Sequence, residues 1–348
     1  MFRVIHLLDL NQNWSRFCSF LKLSSSNYFG TRLPGVACEI TENFISVVQF
    51  DHRNSKAVDK FAIRSIPKGL LDPSLTKLNV SSVQDLARVV RATLDEAGIK
   101  TSRISLAIPD ASVRVAILSL DKLPSKYDEK IEFFKWKLKK SVPYNIEESH
   151  LNFLEQDTDT GQNVVITVNI YREVLEQFEE VFENLEINLG LIVPSTFAAY
   201  ELLVRQDRSD IQNSVLFVRT ESSSMSSLIT QGGVIVFYQH KGSSFNKPFF
   251  SGTENSDQIP NQLIDPYEDI HPYLMYYQDK LESTGVKKVV LMYPNDFDES
   301  QLLSLEERSK ALVSNFDPST LFHWKHDTPF NKLKIELSPA LGLALGKL

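Results

Sequence analysis

The sequence predicts an α/β protein whose architecture is duplicated, with a small α/β unit inserted into its first half. Three observations carry that expectation. A strand–turn–strand–strand pattern followed by a helix occurs once from Gly35 and again from Ser214. Between them, residues 111–190 hold their own strands and helices, closed off by Pro109 and Pro194. The composition is that of an ordinary globular chain, with 348 residues, 42% hydrophobic and 23% charged, long enough for two or three domains.

The elements follow in order. Residues 1–34 place Trp14, Phe17, Phe20 and Leu21 at helical spacing. That fits a short helix packed on the body or an amphipathic membrane or partner anchor. From Gly35, "VACEI", "FISVVQF" and "KFAIRSI" alternate as strands. A loop punctuated by Pro67, Gly69 and Pro73 precedes a helix with Ser81 or Ser82 as N-cap, Val83, Leu86, Val90 and Leu94 on one face, and Gly98 as its stop. "RISLAIP" is a buried strand.

In the inserted unit "SVRVAILSL" reads as a strand, and residues 123–144 as a helix with Ile131, Phe134, Leu138 and Val142 on one face. "SHLNFLEQ" and "NVVITVNI" pair across "DTDTGQ". A second helix turns Val174, Phe178, Val181 and Leu185 inward, and "TFAAYELLVR" returns to the first domain. The second half has strands at "SVLFVRT", "SSLIT" and "GVIVFYQHK", then a polar loop over 245–265. A helix stopped by Gly285, the strand "KKVVLMYP", a further helix and the apolar C-terminal "SPALGLALGKL" complete it.

Bulk properties exclude several classes. A net charge of -7 argues against nucleic acid. Cys18 and Cys38 form neither a disulfide framework nor a metal-ligand spacing. No apolar run spans a bilayer and the first residues make a poor signal peptide, so cytoplasm is the expectation. Thirteen glycines in the whole chain leave few places where backbone can approach phosphate closely.

The strings "IPKGLLD", "ISLAIPDASVRVAILSLDKLP", "VPYNIEESHLNFL", "VPSTFAAYELL" and "ALGLAL", in that order, resemble the PilM family of type IV pilus assembly proteins, which are similar in turn to the cell-division protein FtsA. The resemblance implies an actin-like fold, duplicated and ribonuclease H-like. It implies a subdomain 1A over 35–110 plus 191–212, an inserted subdomain 1C over 111–190, and a second actin-like half, 2A with a reduced 2B, over 213–348. Residues 1–34 remain an extension of unknown role. Family members hold the N-terminal tail of a bitopic membrane protein, PilN, in a groove between 1A and 1C. The implied role is a scaffold at the cytoplasmic face of the inner membrane, and the GspL-type cytoplasmic domains of type II secretion are the related alternative.

Against the family's "GIDIGSSSIK" phosphate hairpin, Glu39 stands at the aspartate, Thr41 at the second glycine and Ser46 at the lysine. A Cβ at position 41 obstructs backbone approach to phosphate. The second phosphate turn, "VRTESSSMSS", has neither aspartate nor glycine, and Tyr293 and Pro294 replace the adenine-side glycines. The expectation is a pseudo-ATPase: no catalytic residues, no cofactor, no metal and no nucleotide. A working ATPase with atypical loops is the enzyme-class alternative.

Other constellations have bland readings beside sharper ones. "HWKHD" (His323–Asp327) lacks a third zinc ligand and reads as a polar loop or edge strand. Glu147 and Glu148 are helix-start or loop acids. "KWKLKK" (Lys135–Lys140) is a solvated helix face or a contact for anionic headgroups or an acidic partner. Val142, Pro143 and Tyr144 are candidates for shaping the PilN groove by the family resemblance, or simply end their helix and pack internally.

Overall fold

The computed structural model describes residues 34–51, 57–156, 158, 162–206, 213–221, 224–242, 265–281, 284–294, 296–324 and 330–345. The aromatic stripe around Trp14, the loop 245–264 and the residues Lys325–Asp327 lie outside them. The chain divides into two units: residues up to Gln206 with those from Pro318, and the stretch between, ending at Asp317.

In the first unit, β1 (Val36–Ile40), β2 (Phe44–Phe50) and β3 (Ala57–Ser65) form an antiparallel meander. β4 (Arg103–Ile108) runs parallel to β1, β8 (Asn188–Pro194) runs parallel to β4, and β14 (His323–Trp324) lines up along β3. Every residue of β1 is buried, the mark of a strand covered on both faces. α1 (Val83–Glu96) packs on β2 and β3, while α4 (Ser195–Gln206) and α7 (Phe330–Leu345) pack on each other and on the central strands. The Ser82 hydroxyl caps α1 by accepting from the Asp85 amide at 3.2 Å. Gly98 then turns the chain away at φ +63°.

An antiparallel layer is inserted between β4 and β8. Its sheet runs β5 (Arg114–Leu120), β7 (Asn163–Tyr171), β6 (Ser149–Gln156). α2 (Tyr127–Leu138) covers one face through Phe134 and Leu138, which meet Leu151, Phe153 and Val165, and α3 (Arg172–Glu183) packs on β6, β7, β8 and α1. The inserted stretch begins just after β4, at Asp110, and the chain rejoins the first sheet through β8, which ends just before Thr196. These two buried residues are tied together: the Thr196 amide donates to one Asp110 carboxylate oxygen at 3.3 Å and its hydroxyl donates to the other. The carboxylate also sits at the start of α4, where the helix dipole favours negative charge.

The expected helix over 123–144 is shorter in fact. α2 ends at Leu138, and Val142 reaches the same core from the following turn. Pro143 disfavours helical backbone at the residue before it.

The second unit repeats the first sheet. β9 (Val215–Thr220), β10 (Ser224–Gln231) and β11 (Val234–Gly242) form the meander, and β12 (Lys288–Met292) and β13 (Leu312–Asn315) add in parallel. The β10–β11 turn has Gly232 and Gly233 at φ +54° and +84°, the two positive values a type I′ hairpin requires. α5 (Tyr267–Lys280) and α6 (Glu299–Ser309) complete the unit, and a capping box between Asp298 and Gln301 starts α6. The two sheet orders, β3-β2-β1-β4-β8 and β11-β10-β9-β12-β13, match strand for strand in direction. This is the duplicated, ribonuclease H-like actin fold with an inserted α/β layer.

One boundary differs from the sequence reading, which assigned all of 213–348 to the second half. β14 and α7 belong to the first unit. Ile335, Leu337, Ala340, Leu341, Leu343, Ala344 and Leu345 are all buried, so α7 needs apolar cover on nearly every side. The first sheet and α4 together supply it.

Gly342 makes that packing possible: a Cβ there would lie 1.8 Å from the Ala198 carbonyl oxygen. Because the obstacle is helix backbone, it cannot rotate aside. Gly342→Ala is expected to destabilise the protein by about 3 kcal/mol, read as a drop in denaturant midpoint at unchanged slope. An unaltered midpoint would mean that α7 does not pack on α4 at this distance.

Candidate functional site

The first hairpin turn is the place where an actin-like site would hold phosphate. β1 and β2 pair Glu39 with Ser46 and Ile40 with Ile45, leaving Thr41–Asn43 to make the turn. The Thr41 hydroxyl accepts from the Asn43 amide at 3.3 Å and from the Phe44 amide at 3.0 Å, and donates to the Phe44 carbonyl at 3.0 Å. The Thr41 amide closes the turn on the same carbonyl at 2.9 Å. A glycine would leave the two downstream amides without a side-chain acceptor and so open to an anion. Threonine satisfies them internally, in the manner of an ST-turn.

The positions flanking the turn are withdrawn as well. Glu39 and Ser46 are fully buried side by side in the sheet. Burial raises the pKa of the neighbouring Cys38 thiol well above its ordinary value, with Glu39 adding to the effect, so the thiol stays protonated and unreactive.

The second turn follows a parallel logic. The Glu221 amide donates to the Ser224 carbonyl at 2.8 Å, and the buried Arg219 guanidinium, 1% exposed, donates to the Glu221 carboxylate. A carboxylate of the turn itself therefore meets the buried cation. Sequence reading passed over Arg219, though an arginine in the otherwise apolar run "VLFVRT" is a visible signal, since buried arginine demands a partner. Tyr293 is 3% exposed and belongs to the second unit's core, edge-on to Phe297 at 5.1 Å with its hydroxyl 3.9 Å from the Met225 sulfur. Burial drives its pKa far up.

A second feature lies where the inserted layer meets the first sheet's helix. A cleft of about 360 Å³ runs between α1 and the end of α3, with Ala87, Ala92 and Leu185 as apolar lining and Arg88, Arg91 and Asp95 as charged lining. Its walls are fixed. Gln177 of α3 accepts from the Asn79 and Val80 amides at 2.7 and 3.1 Å and donates to the Val80 carbonyl at 2.7 Å. Arg91 donates to the Leu185 carbonyl at 2.8 Å. On α3, burial pushes the Glu179 carboxyl up to about 7, with Glu183 and Glu176 adding to the shift. This cleft is not visible in the sequence: Arg88 and Arg91 look like ordinary solvated positions until α3 is brought against α1.

Val142, Pro143 and Tyr144 lie elsewhere. Val142 is in the core beneath α2, and Pro143 is exposed. Tyr144 packs against Tyr171 with tilted rings at 5.5 Å and donates to Asn169, whose amide in turn donates to the Ser149 hydroxyl at 2.6 Å. None of the three lines the α1–α3 cleft. His323 and Trp324 form the edge strand β14, and Glu147 pairs with Lys135 at 2.8 Å. Among the described residues no cluster of histidine, cysteine and carboxylate is arranged to hold a metal, and no helix is long and apolar enough to cross a membrane.

Thr41→Val keeps the shape of the side chain and removes the acceptor for two amides in a half-buried turn. The substitution is expected to cost about 1–3 kcal/mol in equilibrium denaturation, with Thr41→Ser restoring most of it. Equal stability of the valine variant and the parent would contradict the hydrogen bonding described.

No protein-family model and no curated relative matches the chain. Among solved structures it is similar to the PilM–PilN type IV pilus biogenesis complex, at 17% identity and a TM-score of 0.74, covering 91% of this chain and 99% of that one. More distant matches include a Bacteroides thetaiotaomicron protein of actin-like ATPase fold (12% identity, TM-score 0.46, 82% and 91% of the two chains). Another is the cytoplasmic domain of EpsL, an inner-membrane component of the Vibrio cholerae type II secretion system (8% identity, TM-score 0.43, 87% and 93%). The likeness at 0.74 spans nearly the whole of both chains, and it is a likeness of fold.

Proposed function

We propose that this chain is a non-enzymatic, actin-like scaffold of a type IV pilus or related type II secretion assembly, working at the cytoplasmic face of the inner membrane. Its partner would be the cytoplasmic N-terminal tail of a PilN-like bitopic membrane protein. The observation that carries the non-enzymatic part is the Thr41 hydroxyl, bonded to the two turn amides that a phosphate would need. The fold likeness to the PilM of a PilM–PilN complex supports the choice of partner.

The α1–α3 cleft is the proposed seat of the tail. A short peptide laid there would set apolar side chains against Ala87, Ala92 and Leu185, with Arg88 and Asp95 at the rim to fix its direction. Gln177 and Arg91 hold the walls in place before any ligand arrives, which lowers the ordering cost of binding.

Calorimetric titration with a PilN-like N-terminal peptide tests this directly. Binding at or below about ten micromolar is expected, with Ala92→Trp weakening it by about tenfold or more by filling the cleft. Magnesium ATP should give no saturable heat up to roughly millimolar concentration. No binding of any such tail at tens of micromolar would sink the partner assignment, and saturable ATP binding would sink the pseudo-ATPase.

A further inference from the structure

One surface has no role in the tail-binding reading. Trp136 on α2 is 68% exposed, the most exposed of the large hydrophobic side chains described. It is not isolated. The Phe133 ring lies beside it at 6.2 Å, and the Lys137 ammonium sits over both rings, 5.6 Å from Phe133 and 5.4 Å from Trp136. Lys139 and Lys140 follow at once and are exposed. Trp136 falls on the face of α2 opposite Phe134 and Leu138, which are buried in the core beneath the helix, while Phe133 is half-buried at the edge of that core and Lys137 flanks the two rings.

The charges on α2 are sorted along its length. Lys126, Lys130 and Lys135 are paired with Glu129, Glu155, Glu132 and Glu147. Among the described residues no carboxylate pairs with Lys137, Lys139 or Lys140. The carboxylates gather toward the start of the helix and the unpaired lysines at its end, beside the exposed indole. Some of this serves the helix dipole, which favours cations at a C-terminus. A solvated lysine face needs no tryptophan, however, and leaving an indole in water is unfavourable.

The geometry points to a contact with an anionic lipid surface, made by Phe133, Trp136, Lys137, Lys139 and Lys140. Indole and phenyl rings favour the headgroup–acyl boundary, where one edge is apolar and the other wet. Lysines beside them add attraction to acidic headgroups. The complementarity of charge is local, since the chain as a whole carries -7. The proposal rests on the reading that the chain works at a membrane, but it does not involve the tail or the α1–α3 cleft.

Co-sedimentation of the full chain with phosphatidylglycerol-rich vesicles, without any tail peptide, tests it. Binding is expected to the anionic vesicles and not to phosphatidylcholine vesicles, and to weaken as salt rises. The triple variant Lys137→Glu, Lys139→Glu, Lys140→Glu should lose on the order of a hundredfold in partitioning. Trp136→Ala should lose several-fold, and Trp136→Phe should abolish a vesicle-induced blue shift in emission. All these positions are on the solvent face, so the variants are expected to keep the parent melting temperature. Absence of binding, equal binding to neutral vesicles, or full binding by the triple variant would overturn the proposal. So would capture of an acidic polypeptide, or self-association through this face, in place of the vesicles. Because no tail is present, failure here leaves the tail titration standing, and the reverse holds as well.

Discussion

Strand β1 is hydrogen-bonded to β2 on one side and β4 on the other, and all five of its residues are buried, so it must be covered above and below. Much of the first unit follows from that requirement. α1 packs on the neighbouring strands β2 and β3, and α7 with α4 packs on the central strands. The chain therefore has to come back from its far end to finish a sheet begun at Val36. Gly342 sets how closely α7 can approach α4, and the Asp110–Thr196 bonds fix where the inserted layer departs and returns.

The same strand delivers the turn at Thr41. In a duplicated fold of this kind the hairpin between the first two strands presents backbone amides at its tip, and what those amides bind decides the chemistry. Here the Thr41 hydroxyl takes both, and the second unit's turn brings Glu221 to Arg219. In both turns the donors meet an acceptor supplied by the turn itself. That stabilises the hairpins without a ligand, as the proposed scaffold role requires. The surfaces left for function are then the cleft between α1 and α3 and the outer face of α2.

Most element positions were legible in the sequence because strands announce themselves by alternation and turns by their own chemistry. Ser82, Gly98 and the Gly232–Gly233 pair did what their residue types lead one to expect. The departures from the ATP-binding pattern at Glu39, Thr41 and Ser46 were also legible, although the reading stressed the lost glycine and not the acceptor that threonine adds. What the sequence hid was long-range. An all-round apolar helix such as α7 signals deep burial but not which sheet will bury it. The helix ending before Val142 depended on weighing Pro143 against an apolar periodicity that continued past it. The cleft beside Arg91 depends on Gln177, nearly a hundred residues on, clamping the segment at Asn79 and Val80 that leads into α1.

The central claim is that the first hairpin's amides are already occupied. Residue-resolved hydrogen exchange at Asn43 and Phe44, with and without magnesium ATP, measures this most directly. Slow exchange at Phe44 in the nucleotide-free protein, unchanged by millimolar ATP, is the predicted result. Rapid exchange at both amides that slows when ATP is added would contradict it.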